Sequence, residues 1–125
     1  RESPMMNASP PTMTPDLLEF IQNRVCSFAR WDLVRYFNDS PTRKETADGV
    51  AKGTGRDMPA LEEELEALVV AKILATEDKD GIRRYKLPRD KATRQMMSDF
   101  IEACYDRHFR IEAIQVVINS MNFSS

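Results

Sequence analysis

Histidine and cysteine are nearly absent from this chain: one histidine, His108, and two cysteines, Cys26 and Cys104, in 125 residues. A zinc centre needs three or four such ligands, and these three form no cluster and no C-x-x-C pair, so no metal site and no cofactor is expected. Each cysteine falls within an apolar helical pattern, which reads as two buried, reduced thiols and points to the cytoplasm. No apolar run approaches the roughly 18 residues of a membrane span. No apolar stretch near the N-terminus suggests a signal peptide. Excess charge is lacking too: 18 Lys and Arg stand against 20 Asp and Glu, a formal −2, so any pull on nucleic acid must come from a local patch. Catalytic patterns are missing. There is no G-x-S-x-G, Walker or G-x-G-x-x-G run, and His108 reads as a packed residue on an apolar helical stripe. The expectation is that the chain is not an enzyme.

What is present is a chain of helical size and spacing. The 42% apolar and 30% charged content is that of one soluble domain with a real core. Residues 1–14 are proline-rich and aperiodic, which predicts a flexible arm; Arg1 to Pro4, ahead of Met5, read as extraneous residues or the cut edge of a longer chain. Thr14-Pro15-Asp16 is a helix start, with a hydroxyl cap, proline at the first position and an acid in the first turn. Apolar spacing then predicts one bent helix or two short ones over 15–38, stopped by Asn38-Asp39-Ser40-Pro41. A short helix, Lys44 to Lys52, would bury Ala47, Val50 and Ala51 and end at Gly53-Thr54-Gly55, where both glycines are read as turn formers. In 56–73, RDMPALEEELEALVVAKI, the residues Met58, Leu61, Leu65, Leu68, Val69 and Ile73 share one face. Two short strands, 73–76 and 82–87, around Asp80-Gly81 predict a β-hairpin. From Arg89 on there is neither glycine nor proline. That predicts a helix of up to about thirty residues, or two broken near His108-Phe109. One apolar stripe runs Met97, Phe100, Ile101, Cys104, Tyr105, His108 and continues in Ile111, Ile114, Ile118 and Met121.

The order helix, short helix, glycine turn, helix, hairpin resembles a winged helix-turn-helix domain of the bacterial ArsR, MarR and PadR regulator type. The likeness is carried by Trp31 to Phe37, by Glu45-Thr46-Ala47-Asp48-Gly49-Val50-Ala51, by Leu65-Glu66-Ala67-Leu68 with Lys72-Ile73-Leu74, and by Arg83-Arg84-Tyr85-Lys86-Leu87. It spans residues 29–88, with Lys72 at a position where these families usually have glycine. The expected fold is therefore mainly α with a small β-hairpin, a winged helix-turn-helix with extra N- and C-terminal helices. The expected division is an arm over 1–14, an N-terminal helix over 15–28, the winged helix over 29–88 and a helical dimerisation or packing segment over 89–125.

The resemblance implies a transcriptional regulator whose third helix enters the major groove of double-stranded DNA. The charges pull the other way, because that helix carries Asp57, Glu62, Glu63, Glu64 and Glu66, which phosphates repel. Cations lie elsewhere: Arg43, Lys44, Lys52 and Arg56 around the second helix and its turn, and a basic run from Arg83 through Arg84, Lys86, Arg89 and Lys91 to Arg94. Arg43, Lys44, Lys52, Arg56, Arg83, Arg84 and Lys86 are the candidate DNA contacts. A plain reading of the wing cations is that they pair with Glu77, Asp78 and Asp80. The alternative function is a protein-interaction module in which Glu62, Glu63 and Glu66 face a basic partner. Terminal helices in the resembling families form two-fold interfaces, so a homodimer is expected through Leu17, Leu18, Ile21, Ile111, Ile114, Ile118 and Met121. The aromatic set Phe28, Trp31, Tyr36 and Phe37 reads either as core or as the lining of a ligand cavity between the first and last helices.

Overall fold

In the computed structural model, which describes residues 11–123, Thr14 accepts the Leu17 amide at 3.2 Å and opens α1 (Pro15–Phe20), as its cap chemistry predicts. The expected arm, up to residue 10, lies outside the described residues. α1 runs into a π-helical turn, Ile21–Val25, and stops at Cys26, whose φ of 47° is left-handed. Ser27 then caps α2 (Phe28–Asp39) by accepting the Arg30 amide at 3.1 Å. The segment is thus two helices, broken at Cys26. Cys26 is half-buried rather than buried; Cys104 is buried, and both are free thiols.

α3 (Ala47–Thr54), capped by Thr46, buries Ala47, Val50 and Ala51. Its two glycines have different physical reasons. Gly55 takes φ 72° and closes the helix. Gly53 lies inside the helix, where a Cβ would stand 2.7 Å from Cε1 of Tyr36, so it is there for space and not for a turn. α4 (Ala60–Val70) buries Leu61, Leu65 and Leu68, while Met58 ahead of it stays exposed. Its end is a Schellman turn: Lys72 donates to the Val69 carbonyl at 3.0 Å and Ile73 to that of Leu68 at 2.9 Å, with Lys72 at φ 65°. A lysine here carries the left-handed penalty that glycine avoids. Lys72→Gly is expected to raise the unfolding free energy by about 0.5–1 kcal/mol, net of glycine's greater unfolded-state entropy, as read from urea midpoints.

The hairpin pairs β1 (Ala75–Lys79) with β2 (Ile82–Lys86), antiparallel, with Asp80 and Gly81 both at positive φ, a type I′ turn. β1 starts later than the apolar run suggested, since Ile73 and Leu74 are spent on the core before the strand begins. A one-residue bridge extends the sheet: Glu45 donates to the Tyr85 carbonyl at 3.1 Å and Tyr85 to that of Glu45 at 2.7 Å. The loop ahead of α3 is thereby tied to the wing.

The C-terminal segment is two helices, α5 (Lys91–Ala103) and α6 (Arg107–Phe123), separated at Cys104–Asp106. Asp106 accepts the Phe109 amide at 2.9 Å, so a side-chain cap starts the second helix where no glycine or proline marks a break. α6 packs on the π-helical turn. The residues it buries are Phe109, Ala113 and Val117; His108, expected on the packed stripe, is exposed, as are Ile111, Ile118 and Met121. The core is completed by Phe20, Ile21, Val25, Leu33, Val34, Phe37, Met97 and Phe100. The architecture is mainly helical with one small β-hairpin, a winged helix-turn-helix with helices added at both ends. Among the described residues no helix is long and apolar enough to cross a membrane.

Candidate nucleic-acid interface

α3, the Gly55 turn and α4 make the helix-turn-helix, and the hairpin is the wing. The acids of α4 divide into two groups. Glu64 is held by Arg30 at 2.7 Å, and Glu66 receives two parallel hydrogen bonds from Arg83, at 2.8 and 2.9 Å, with a third from the Tyr85 hydroxyl. Asp57, Glu62 and Glu63 are exposed and have no partner among the described residues. The candidate partner surface of Glu62, Glu63 and Glu66 therefore loses Glu66 to the wing.

Strand alternation explains this division. Thr76, Asp78, Arg83 and Tyr85 share the face turned toward α4, and Ala75, Glu77, Lys79, Ile82, Arg84 and Lys86 share the other. Tyr85 is buried, which is the main reason its phenol is pushed up to about 12, with Glu66 adding to the shift. Arg83, and after it the Tyr85 hydroxyl, hold the Glu66 carboxyl below its ordinary 4.5. A carboxylate with a depressed folded-state pKa stabilises fully above its unfolded pKa and loses that contribution as pH falls through the folded value. The Arg83–Glu66 pair is 42% and 43% exposed, so screening keeps its worth under about 1 kcal/mol. Glu66→Gln is expected to cost that much at neutral pH and to be indistinguishable from wild type in strongly acidic buffer. Urea unfolding across the acid range checks it; a constant offset at every pH would contradict the assignment.

On the outer face Glu77 accepts from Lys44 at 3.1 Å and Lys86 at 3.3 Å, which lower its pKa, Lys44 first. Arg84 has no partner among the described residues. Below it, where the loop before α3 meets the wing, a groove of about 320 Å³ is lined by Thr42, Arg43, Lys44, Lys86, Arg89 and Arg94, with Pro41 and Leu87. Five cations line it. The Arg43 guanidinium lies 3.9 Å over the Tyr36 ring and donates from Nη1 to Glu45 at 3.0 Å, while its Nε is buried without a hydrogen-bond partner. The Tyr36 hydroxyl donates to the same carboxylate at 2.6 Å, and burial first, then Glu45, raises its pKa.

Of the seven candidate DNA contacts, the groove brings Arg43, Lys44 and Lys86 together, with Arg84 on the adjoining outer face. Arg83 faces the other way and is engaged by Glu66. Lys52 pairs with Asp48 at 3.4 Å and Arg56 with Asp32 at 3.1 Å, both outside the groove. Wing cations do pair with acids, but Arg83 chiefly with Glu66 of α4, a partner no short-range pattern signals. Arg89 and Arg94 join the groove; only their membership of the basic run marked them. Of the dimer candidates, Ile21 is fully buried and Leu17 nearly so within the protomer, so they serve its own core, and Leu18 and Ile114 are half-buried. Of the cavity set, Phe28 and Trp31 do line a groove, whereas Phe37 is core and Tyr36 packs under Arg43.

No protein-family model matches the chain, and no curated protein matches it. Among solved structures it is similar to a possible transcriptional regulator from Methanosarcina mazei Go1, at 18% identity and a TM-score of 0.50, over 76% of this chain and 82% of that one. At that identity the likeness extends to the fold alone.

Proposed function

We propose that this chain is a non-catalytic transcriptional regulator of winged-helix type that binds double-stranded DNA through the base of its wing. The observation that carries the reading is the groove lined by five cations, Arg43, Lys44, Lys86, Arg89 and Arg94, which outnumber the two acids, Glu45 and Glu77, paired with them at its edge. Phosphate contacts supply most non-specific affinity, and wings of this fold can lie along the backbone or enter the minor groove. The regulator-like fold of the Methanosarcina mazei protein supports the same assignment. So does the sequence likeness to ArsR, MarR and PadR regulators. α4 then lies near DNA without reading it through its acids. Fluorescence anisotropy of the protein with mixed-sequence duplex, over about 50 to 200 mM salt, tests the reading: binding with a steep salt slope is expected. No binding at the lowest salt overturns it.

The unpaired acids Asp57, Glu62 and Glu63 favour a second reading, a protein-interaction module whose α4 faces a basic partner. Retained binding to a cationic protein with no binding to DNA would select it.

The active unit in either reading is a homodimer. Ile111, Ile118 and Met121 on α6 are 54%, 38% and 46% exposed, an apolar row at helical spacing of the kind that marks an interface. Ile118→Glu is expected to convert the wild-type dimer into a folded monomer in sedimentation velocity. A wild-type monomer at high concentration counts against the assignment.

A further inference from the structure

A second groove, of about 390 Å³, opens between α2, the end of α5 and α6. Its walls are Phe28, Trp31, Ile101, Cys104, Tyr105 and Ile114, and its two charged residues are Arg35 and Arg110. Phe28 stacks on Trp31 at 6.0 Å, and Trp31 rests against buried Phe100 at 5.2 Å, so the aromatic floor is fixed from behind. Tyr105 is 78% exposed, an aromatic ring left in water beside an apolar wall. Arg110 gives Nη1 to the Cys104 carbonyl at 3.0 Å, and its Nε and Nη2 have no partner among the described residues. Arg35 uses one Nη on Asp32 and is otherwise in solvent.

We propose that this groove binds an apolar monocarboxylate, with its hydrocarbon body against Trp31 and its carboxylate on the free donors of Arg110, assisted by Arg35. The size is that of a small-molecule site, the lining is mostly apolar, and the few polar groups are of one sign, the pattern that orients an amphiphilic anion. A neutral ligand would forgo the charge assistance of those guanidinium donors, and a cationic one would be repelled by them. Burial pushes the Cys104 thiol up to about 12, so this wall is uncharged at neutral pH and does not repel an anion. The site lies apart from the cationic groove at the wing base and does not depend on DNA binding.

Trp31 is the only tryptophan in the chain, so its fluorescence reports the groove directly, with no DNA present. The probes are octanoate, which is transparent where indole absorbs, and the neutral octanamide. Octanoate is expected to shift Trp31 emission saturably. Octanamide should bind about tenfold more weakly, the order of one partly exposed charge-assisted hydrogen-bond pair. Arg110→Gln should weaken octanoate to the level of the amide. Because Arg110 also braces the Cys104 carbonyl, Arg35→Gln provides a second, milder loss without disturbing that bond. Ile114→Phe, folded by circular dichroism, should abolish the shift by filling the space. No saturable shift, equal binding of acid and amide, or an emission change that follows protein concentration instead of octanoate would each overturn the proposal, the last by showing a second copy seated in the groove.

Discussion

Replacing Phe100 with alanine is expected to lower the unfolding free energy by about 3–5 kcal/mol, the usual cost of deleting a fully buried ring. Phe100 on α5 has no exposed surface, meets Phe20 of α1 edge-on at 5.7 Å and Trp31 of α2 at 5.2 Å. The ring therefore joins three helices, and the space it leaves cannot close without moving one of them. Domains of this kind have about 5–15 kcal/mol in all, so the variant should be close to unfolding at ambient temperature. Urea titration followed by circular dichroism measures the loss, and Trp31 emission should red-shift in the same variant. A cost below about 1 kcal/mol would mean that the contact between the N-terminal helices and α5 is looser than described.

The second large effect concerns charge at the wing. Arg84→Gln and Arg89→Gln together are expected to flatten the salt dependence of DNA binding by about one unit of log–log slope per residue removed, nearly two in sum, and Lys86→Gln by less, because Lys86 shares Glu77 with Lys44. Arg83→Gln should change the slope far less, because Arg83 is turned toward α4 and engaged by Glu66. The contrast separates a wing-base interface from a generally cationic hairpin: equal losses for Arg83 and Arg84 would contradict the former. Glu62→Gln with Glu63→Gln extends the comparison. If α4 lies near the phosphates, removing these acids tightens DNA binding. If α4 is instead the surface for a basic partner, the same change weakens that partner and produces no DNA binding.

Much of the fold was legible because it rests on local chemistry. Thr14 with Pro15, the Asp80-Gly81 turn, and Leu61, Leu65 and Leu68 at helical steps each specify structure within a few residues, and each is realised. The break at Cys26 was less legible, since a left-handed cysteine carries no composition signal. The start of α6 was legible only in retrospect, from the single cap Asp106.

The helices, the hairpin turn and the basic run after residue 82 follow from local pattern, because these depend on neighbours three or four positions away or on composition. How those parts are used depends on long-range packing. α6 carries two apolar rows, Phe109, Ala113, Val117 and Ile111, Ile114, Ile118, Met121, and periodicity cannot rank them. Packing on the π-helical turn buries the first and leaves most of the second in water. Likewise the partners of Arg83 and Lys44 lie 17 and 33 residues away in sequence. Which acid each cation meets, and which cations face a common groove, follow from that distant pairing, because ion pairs form by proximity in space and no local pattern encodes it.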